Sequence, residues 1–529
     1  MRNFELPGRS PVRATGAMAA TSHPLATSAA IDVLRKNGNA MDAAISACAV
    51  QCVVEPQSTG IGGDCFVLYS KNGSDNIIGY NGSGRAPAKA TSEWFDEKGI
   101  SEIGPHSPHA VTIPGAIDAW CRLLKDFGSK SLNEVLSYAI DYARNGYPIH
   151  DRVAFDWARC KNLLARDPGA TQQFLIDGDA PKLGSIHKQH KLANTLEKIA
   201  SEGRNGFYSG VVAEEIVTHL KNLGGAHEIE DFFNAEGEYV TPIKTSYRGY
   251  EVHECPPNGQ GVIALLMLNI LNGLELEKLE PLSSERLHLF IEAGKLAYSA
   301  RDALIGDPNQ VDIPLNKLLS KEYASELSKL IDPRKATNGI TPASIPHSDT
   351  VYLTVVDKDR NAVSFINSLF QSFGSGIVAP DSGIILHNRG YSFNLNRGHP
   401  NCIAPNKRPM HTIIPGMVTK GGSTVMPFGV MGGHYQSFGH AYFLTNIFEY
   451  SMDLQEAIDL PRLFPTIDGP VEIESGISST ILNELKALGH KICKPQKPIG
   501  GAQAIWIDLE KGTLTGGSET RKDGLALGY

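Results

Sequence analysis

The chain of 529 residues is long enough for two or three average domains, and its 41% of hydrophobic residues suits a globular protein with a large core. A net charge of −8 disfavours nucleic acid and acidic membranes as partners, because both are negatively charged. No stretch approaches the roughly 20 apolar residues of a membrane span, and residues 1–22 lack the apolar core of a secretion signal, so we expect a cytoplasmic protein with no membrane partner.

The first part of the chain predicts strands and helices joined by glycine and asparagine turns. These elements are, in chain order, a strand from Met18, a helix over 24–35, a turn at 37–39, a helix over 40–53, a turn at 60–63, and strands at 65–69 and 77–80. The second helix is apolar nearly all round, which predicts that it is buried. The glycine turn lacks a following Lys-Ser/Thr and precedes a strand, so a tight turn is favoured over a phosphate site.

Residues 130–340 are predicted to be mostly helical. The clearest helix begins near Ser284, and another apolar helix over 262–272 follows a turn at 256–261. The last part of the chain returns to strands, and it predicts them at 382–386, 412–418 and 424–430, before a helix that runs toward Tyr450. Periodicity alone therefore indicates a mixed α and β protein.

Thr350 is predicted to lie where an accessible loop ends and a buried hairpin begins. Residues 332–349 are polar and rich in proline, whereas 351–356 form an apolar, β-branched strand whose return strand is 362–366. A threonine hydroxyl needs a base to act as a nucleophile. If the peptide bond before Thr350 were cut, the new α-amino group, with a reference pKa of roughly 7.7–8.0, would lie beside the hydroxyl. Taken alone, this stretch also suits an ordinary strand residue.

No motif in the sequence supports catalysis by a bound metal or by a serine hydrolase of another fold. The 17 histidines include no His-Glu-x-x-His, and the eight cysteines form neither a CxxC motif nor a zinc spacing. We expect reduced thiols, no metal and no cofactor. The chain also contains no G-x-S-x-G, which disfavours a serine hydrolase of another fold.

Motifs spread over nearly the whole chain resemble the γ-glutamyltranspeptidase family of self-cleaving N-terminal-nucleophile hydrolases. In the second half they are the stretch from Thr350 to Ser364, Phe373-Gly374-Ser375-Gly376-Ile377-Val378, Lys407-Arg408-Pro409-Met410-His411-Thr412, Gly429-Val430-Met431-Gly432-Gly433 and Arg521-Lys522-Asp523-Gly524. In the first half they are 38–44, Glu55-Pro56, 59–63 and 86–90.

The resemblance implies an α+β fold, the four-layer αββα sandwich of N-terminal-nucleophile hydrolases. It further implies self-cleavage between Asp349 and Thr350, giving a large subunit, 1–349, and a small subunit, 350–529, that remain one intertwined globular unit. Assembly of this unit into a homo-oligomer stays open.

The same resemblance assigns catalytic roles. Thr350 is expected to be the nucleophile, with its freed amine as general base, and Ser368 is expected to orient it. Gly432 and Gly433 match a glycine pair whose backbone N–H groups form the oxyanion hole, although a structural turn is the competing interpretation.

The substrate-binding positions depart from the transpeptidase pattern. Ser83 stands where the family has an arginine for the substrate α-carboxylate, Ser392 where it has an aspartate for the α-amino group, His411-Thr412 where it has a serine pair, and Phe370 where it has an asparagine. Arg389 would repel an ammonium group and bind a carboxylate. The candidate substrate-binding residues are Arg389, His411, Thr412, Asn388 and Arg85. For Arg389, His411 and Arg85 a structural role is the alternative.

These departures favour a small amide that carries a carboxylate near the scissile carbonyl and lacks an α-amine. Oxamate fits, and members of the family that hydrolyse oxamate to oxalate and ammonia are cytoplasmic. The alternative within the family is a γ-glutamyltransferase or glutathione hydrolase with rearranged recognition residues. A third hypothesis, an unprocessed binding or structural protein on the same fold, is disfavoured because Thr350, Ser368 and the glycine pair are all present.

Overall fold

Two seven-stranded antiparallel sheets form the centre of the computed structural model, which describes residue 5 and residues 8–337, 350–466 and 469–529. The strands are β1 Val12–Ala14, β2 Met18–Thr21, β3 Asp64–Ser70, β4 Ile77–Gly82, β5 Tyr147–Pro148, β6 Ile186–His187, β7 Glu238–Val240, β8 Ile243–Tyr247, β9 Tyr250–Glu254, β10 Val351–Val356, β11 Ala362–Ser368, β12 Gly416–Lys420, β13 Ser423–Met431, β14 Leu463–Pro465, β15 Val471–Ile473, β16 Ile492–Cys493, β17 Gly501–Asp508, β18 Thr513–Ser518 and β19 Leu525–Gly528.

Helices cover the outer faces of both sheets. They are α1 Pro24–Arg35, α2 Ala40–Val54, α3 Ser92–Glu97, α4 Ala116–Phe127, α5 Leu132–Asn145, α6 Asp151–Arg159, α7 Lys161–Leu164, α8 Pro168–Phe174, α9 His190–Glu202, α10 Asn205–Tyr208, α11 Gly210–Asn222, α12 Ile229–Phe233, α13 Gly261–Asn272, α14 Ser284–Leu304, α15 Leu315–Leu318, α16 Lys321–Ser328, α17 Tyr435–Phe448, α18 Leu454–Asp459 and α19 Ser479–Ala487. In the part of the chain that the structure describes, no helix is both long and apolar enough to span a bilayer.

The strand order interleaves residues from before and after position 350 in both sheets. The first sheet runs β19-β2-β10-β11-β3-β4-β7, and the second runs β1-β18-β17-β13-β12-β9-β8. A chain cut at residue 350 would therefore still share two hydrogen-bonded sheets, which favours continued association of the two parts.

Three hydrophobic cores define four layers. One core packs α1, α2 and α5 on the outer face of the first sheet, and another packs α13, α14 and α17 on the outer face of the second. The third lies between the sheets and contains Tyr352 and Val356 of β10, Phe66 of β3 and Met417 of β12. Since side chains alternate along a strand, this pattern fixes which residues of β10 and β11 face the space between the sheets.

The structure confirms the predicted hairpin after Thr350 and the predicted helices α1, α2, α13 and α14. Asn39 caps α2 through a capping box with Asp42, as expected for the turn that starts it. The predicted strand at 382–386 is wrong. Gly383 donates a hydrogen bond to the carbonyl of Ala379, and this tight turn leaves only isolated bridges at residues 385 and 386.

Two other segments differ from the sequence prediction. The strand predicted at 412–418 begins only at Gly416, immediately after Pro415, whose ring nitrogen cannot donate to a ladder. The largely helical region 130–340 also contains β5 to β9, of which β8 and β9 extend the second sheet. All eight cysteines are free, four of them buried and four half-buried.

Candidate active site

Thr350, Ser368 and Asp64 form a row across three neighbouring strands. Val351 pairs with Asn367 and Ser368 pairs with Asp64, so the register places Thr350 beside Ser368 at the end of the first sheet. All three side chains are buried and lie on the same face as Tyr352, toward the second sheet. The hydroxyl oxygens of Thr350 and Ser368 are 3.0 Å apart.

Ser368 is held in place by the backbone that follows it. The Phe370 amide donates a 2.8 Å hydrogen bond to Ser368 Oγ, and Phe370 has a φ of 77°, a left-handed conformation that side chains rarely adopt. Because this amide occupies one lone pair, the Ser368 hydroxyl has a restricted direction in which to meet Thr350. The structure thus brings together the two hydroxyls that the sequence singled out.

We expect Ser368→Ala to slow both self-cleavage and turnover by roughly 10²-fold, because the Thr350 hydroxyl loses the group that orients it. Timed denaturing gels of freshly made protein and ammonia release by the cut enzyme measure the two rates. Ser364→Ala is the matched control, since Ser364 lies on the same strand and face but bonds Tyr352 and the Phe428 carbonyl. Equal rates for Ser368→Ala and Ser364→Ala would contradict the orienting role.

Gly432 and Gly433 form the turn between β13 and α17. Their φ values of 129° and 59° lie where glycine is favoured, and a Cβ on Gly432 would come within 2.8 Å of Gly500 Cα. Gln260 Nε2 donates to the carbonyls of Thr412 and Gly433 at 2.8 and 3.0 Å, which ties this turn to the strand region before β12. The glycine amides therefore lie at a fixed helix N-terminus.

Arg389 is fully buried and only partly satisfied. Its Nη1 donates to Thr412 Oγ1 at 2.8 Å, and its guanidinium carbon lies 4.0 Å from the centre of the Phe370 ring. Its Nε and Nη2 have no hydrogen-bond partner among the residues that the structure describes. Burial lowers the pKa of Arg389 to about 9, so the guanidinium remains charged near neutral pH.

Asp64 is the carboxylate of this row, and both of its oxygens are engaged. Oδ1 accepts from the Gly84 amide at 3.0 Å, while Oδ2 accepts from His411 Nε2 at 2.9 Å and lies 3.4 Å from His387 Nδ1. Burial alone would raise the pKa of Asp64, but the two histidines outweigh burial and hold that pKa well below its usual range. Asp64 thus stays ionised, and its charge partly offsets the effect of burial on the pKa of Arg389.

His411 is a buried neutral imidazole. Its Nε2 donates to Asp64 and its Nδ1 accepts from the Ile413 amide, so the ring is satisfied without a second proton. Burial, aided by the charge of Arg389, lowers the pKa of His411 to about 3. At neutral pH we therefore expect His411 to position Asp64 and the neighbouring Thr412 rather than to carry charge.

This pKa predicts a change in acid stability for His411→Asn. Between about pH 6.5 and 3 the unfolded chain binds a proton at His411 that the folded protein does not, so stability falls as the pH is lowered through this range. We expect Tm to fall less steeply from pH 6.5 to 4 in the variant than in the wild type. Thermal melts across this pH range test the expected difference in slope. The control is His190→Asn, because the His190 side chain is exposed. Identical slopes would contradict the assignment.

Three other predicted residues lie in different surroundings. Asn388 is bonded to the Pro105 carbonyl and to Gln371, at 3.0 and 2.7 Å. Arg85 is half-buried, donates to the Asn406 carbonyl at 3.1 Å and lies 3.5 Å from Asp307. Asp349 lies outside the described residues. The structure therefore brings Thr350, Ser368, Arg389, Thr412 and His411 into one region, and it engages Asn388 and Arg85 with other protein groups.

Sequence reasoning missed Asp64, His387 and Gln260. The one local signal was the position of Asp64 directly after the glycine turn at 60–63, where a strand begins. His387 and Gln260 gave no signal of their own, because their partners come from distant parts of the chain.

A four-layer sandwich with a threonine at the start of a central strand, facing the second sheet beside a buried hydroxyl, defines an N-terminal-nucleophile hydrolase fold. The Gamma-glutamyltranspeptidase family model matches residues 26–529. The chain belongs to this family and is a hydrolase of amide bonds.

Three similar proteins extend over almost the whole chain. A "Glutathione hydrolase-like YwrD proenzyme" of Bacillus subtilis is 39% identical over 97% of this chain and 98% of its own. An "Oxamate amidohydrolase proenzyme" of Klebsiella pneumoniae is 32% identical over 97% of this chain and 99% of its own. The crystal structure of a cephalosporin acylase from Bacillus halodurans has a TM-score of 0.93 at 38% identity, covering 100% of this chain and 99% of that one.

Proposed function

We propose that the protein is a self-cleaving threonine amidohydrolase that acts on a small amide bearing a carboxylate, with oxamate as the favoured substrate and oxalate and ammonia as products. Its similarity to an oxamate amidohydrolase supports this choice. The eight free cysteines support a reducing, cytoplasmic location for the reaction.

The observation that carries the proposal is the unsatisfied Arg389. A buried guanidinium with two nitrogens, Nε and Nη2, lacking a partner in the described structure is costly unless a ligand supplies acceptors. A carboxylate provides two oxygens in the geometry that a guanidinium matches. Phe370 covers the guanidinium and limits the space beside it, which favours a short acid.

The proposed reaction begins with cleavage of the Asp349–Thr350 bond, which frees the Thr350 amine. That amine takes the proton from Oγ as Oγ bonds to the substrate carbonyl, and the amides of Gly432 and Gly433 hold the resulting oxyanion. The C–N bond then breaks, and the amine passes its proton to the departing ammonia. Water hydrolyses the ester by the same proton route and restores the threonine hydroxyl.

Cleavage would give subunits of residues 1–349 and 350–529. The interleaving of their strands in both sheets supports their persistence as one folded unit. Neither part has a complete sheet of its own, so we do not expect them to separate without unfolding.

The second candidate is a γ-glutamyltransferase or glutathione hydrolase, and the names of several relatives favour it. Such a substrate carries an α-ammonium group next to its carboxylate, which calls for an acceptor in the site. Asp64 has both oxygens engaged, and Ser392 donates its hydroxyl to the carbonyls of Arg389 and Met410. The charge of Arg389 would also repel the ammonium group.

Product analysis separates the two candidates. We expect the processed enzyme to release equal amounts of oxalate and ammonia from oxamate, and to release far less glutamate from glutathione at the same concentration. Glutamate release that exceeds oxalate release would support the second candidate. An uncut, inactive chain would overturn both.

A further inference from the structure

Gln260 is a wholly buried glutamine that bridges two parts of the candidate active site. Its side-chain nitrogen Nε2 donates to the Thr412 carbonyl at 2.8 Å and to the Gly433 carbonyl at 3.0 Å. The Thr412 hydroxyl accepts a hydrogen bond from Arg389, and Gly433 belongs to the proposed oxyanion turn between β13 and α17. One side-chain amide therefore joins the proposed carboxylate site to the proposed oxyanion hole.

Arg301 determines which way the Gln260 amide faces. Its Nη1 donates to Gln260 Oε1 at 3.1 Å and to His434 Nδ1 at 2.8 Å, and a guanidinium can only donate. The amide oxygen of Gln260 must therefore face Arg301, because the reversed amide would place an N–H against the guanidinium. This orientation directs both N–H groups of Nε2 at the two carbonyls.

The backbone of Gln260 is held as firmly as its side chain. Its amide donates to the His411 carbonyl at 2.9 Å, and its carbonyl accepts from Ser437 Oγ at 2.9 Å. The His411 amide in turn donates to the Asn258 carbonyl at 2.8 Å. Every polar group of Gln260 is thus hydrogen-bonded, which leaves this residue little freedom to shift.

The bridge fixes a distance within the site. Because the two N–H bonds of a primary amide diverge by about 120°, they hold the carbonyl oxygens of Thr412 and Gly433 about 5 Å apart. Arg389 is one hydrogen bond away from Thr412, and Gly433 is itself one of the two proposed oxyanion residues. The spacing between a carboxylate bound at Arg389 and the oxyanion position is therefore imposed by the protein.

We infer that Gln260 is a positioning residue that sets how far the substrate carboxylate lies from the carbonyl that Thr350 attacks. The inference rests on the proposed function and deepens it, since it identifies what selects oxamate over longer monoamides. In oxamate the carboxylate carbon and the amide carbon are directly bonded, whereas malonamate has a methylene between them. That methylene moves the carbonyl by about 1 Å, and a misplacement of this size costs roughly 10²-fold in rate.

The test measures kcat and KM for oxamate and malonamate in the wild type and in Gln260→Met. Methionine has a similar length and bulk but no donor for the two carbonyls. We expect KM for oxamate to change less than about threefold, because Arg389 still binds the carboxylate. We expect kcat to fall roughly 10²-fold, because the carbonyl no longer meets the oxyanion amides.

Selectivity is the second readout of the same experiment. The ratio of kcat/KM for oxamate to kcat/KM for malonamate should fall about tenfold or more in Gln260→Met. The two amides differ in intrinsic reactivity, but this difference cancels when the ratio is compared between variants. Loss of folded protein lowers both values equally and leaves the ratio unchanged, so the ratio separates positioning from a structural role.

Two further variants complete the set. Gln260→Glu keeps the shape of the side chain and pairs with Arg301, but its carboxylate cannot donate to the carbonyls, so the ratio should fall as in Gln260→Met. Gln455 is also a buried glutamine, and it bonds the Ser518 carbonyl and amide at 2.9 and 3.2 Å. Gln455→Met, the matched control, should lower Tm and leave the ratio unchanged.

The alternative outcomes are distinct. An equal loss on both amides, or failure of both Gln260 variants to fold, would make Gln260 a structural residue and overturn the inference. A raised KM for oxamate with kcat retained would also overturn it. A wild type that hydrolyses malonamate as fast as oxamate would overturn it while leaving the proposed hydrolysis of oxamate standing. A cut wild type that hydrolyses neither amide would remove the proposed function and the inference with it.

Discussion

Thr350→Ala is expected to purify as one uncut chain of 57.1 kDa whose turnover is at least about 10³-fold below that of the wild type. The substitution removes the oxygen that attacks the preceding carbonyl, and without cleavage the general base is never freed. Its side chain is buried at the start of β10, where alanine fits without a clash, so the fold should persist. Intact mass spectrometry and ammonia release measure the two effects.

Two further variants test whether the loss of the Thr350 hydroxyl causes this result. Thr350→Ser keeps a hydroxyl at the same place and should still be cut, because only a methyl group is lost. Thr218→Ala, at an exposed position on α11, should be cut and active like the wild type. A Thr350→Ala chain that still separates before residue 350 would place the cleavage chemistry on another group.

The parts of the fold that local sequence decides were predictable. The β-branched run Val351–Val356 and the apolar helix α2 carry their own signals, and both appear where expected. Strands β8 and β9 were missed because β8 is largely half-exposed or exposed and because both exist by pairing, β9 with β12 far along the chain. The apolar run at 384–386 was misleading because a turn prevents it from extending, and side chains from distant helices hold that turn through Ser382 and Gly383.

Only those residues of the candidate site that match motifs of the family could be predicted directly from the sequence. These motifs singled out Thr350 and Ser368, whereas Arg389 was named from a loop where the sequence departs from the family pattern. No sequence pattern indicates that an arginine will be wholly buried, because arginine is usually exposed. Asp64 illustrates the limit. Its low pKa depends on His387 and His411, which the fold brings to it from the other half of the chain.

Arg389 has the energetic features of a residue kept for a ligand. Burial disfavours its charge, and the charge of Asp64 offsets part of this cost. The direct contacts of the guanidinium are one hydrogen bond to Thr412 and the face of Phe370. Arg286 is equally buried, yet it bonds Thr445 and Asn446 and packs against three aromatic rings. The two arginines therefore predict opposite effects on stability when the charge is removed.

Arg389→Met is expected to lower kcat/KM for oxamate about 10²- to 10³-fold and, at the same time, to raise Tm of the ligand-free enzyme by about 1–3 °C. Activity falls because the substrate carboxylate loses its partner. Stability rises because buried N–H groups without acceptors are replaced by an apolar side chain, and this gain outweighs the lost attraction to Asp64. Arg286→Met should instead lower Tm, since it leaves Asn446 and Thr445 without their donor. Arg389→Lys, which keeps the charge without the paired N–H groups, should recover part of the activity. If Arg389→Met lowered Tm as Arg286→Met does, Arg389 would be a structural residue, and the carboxylate preference would need another source.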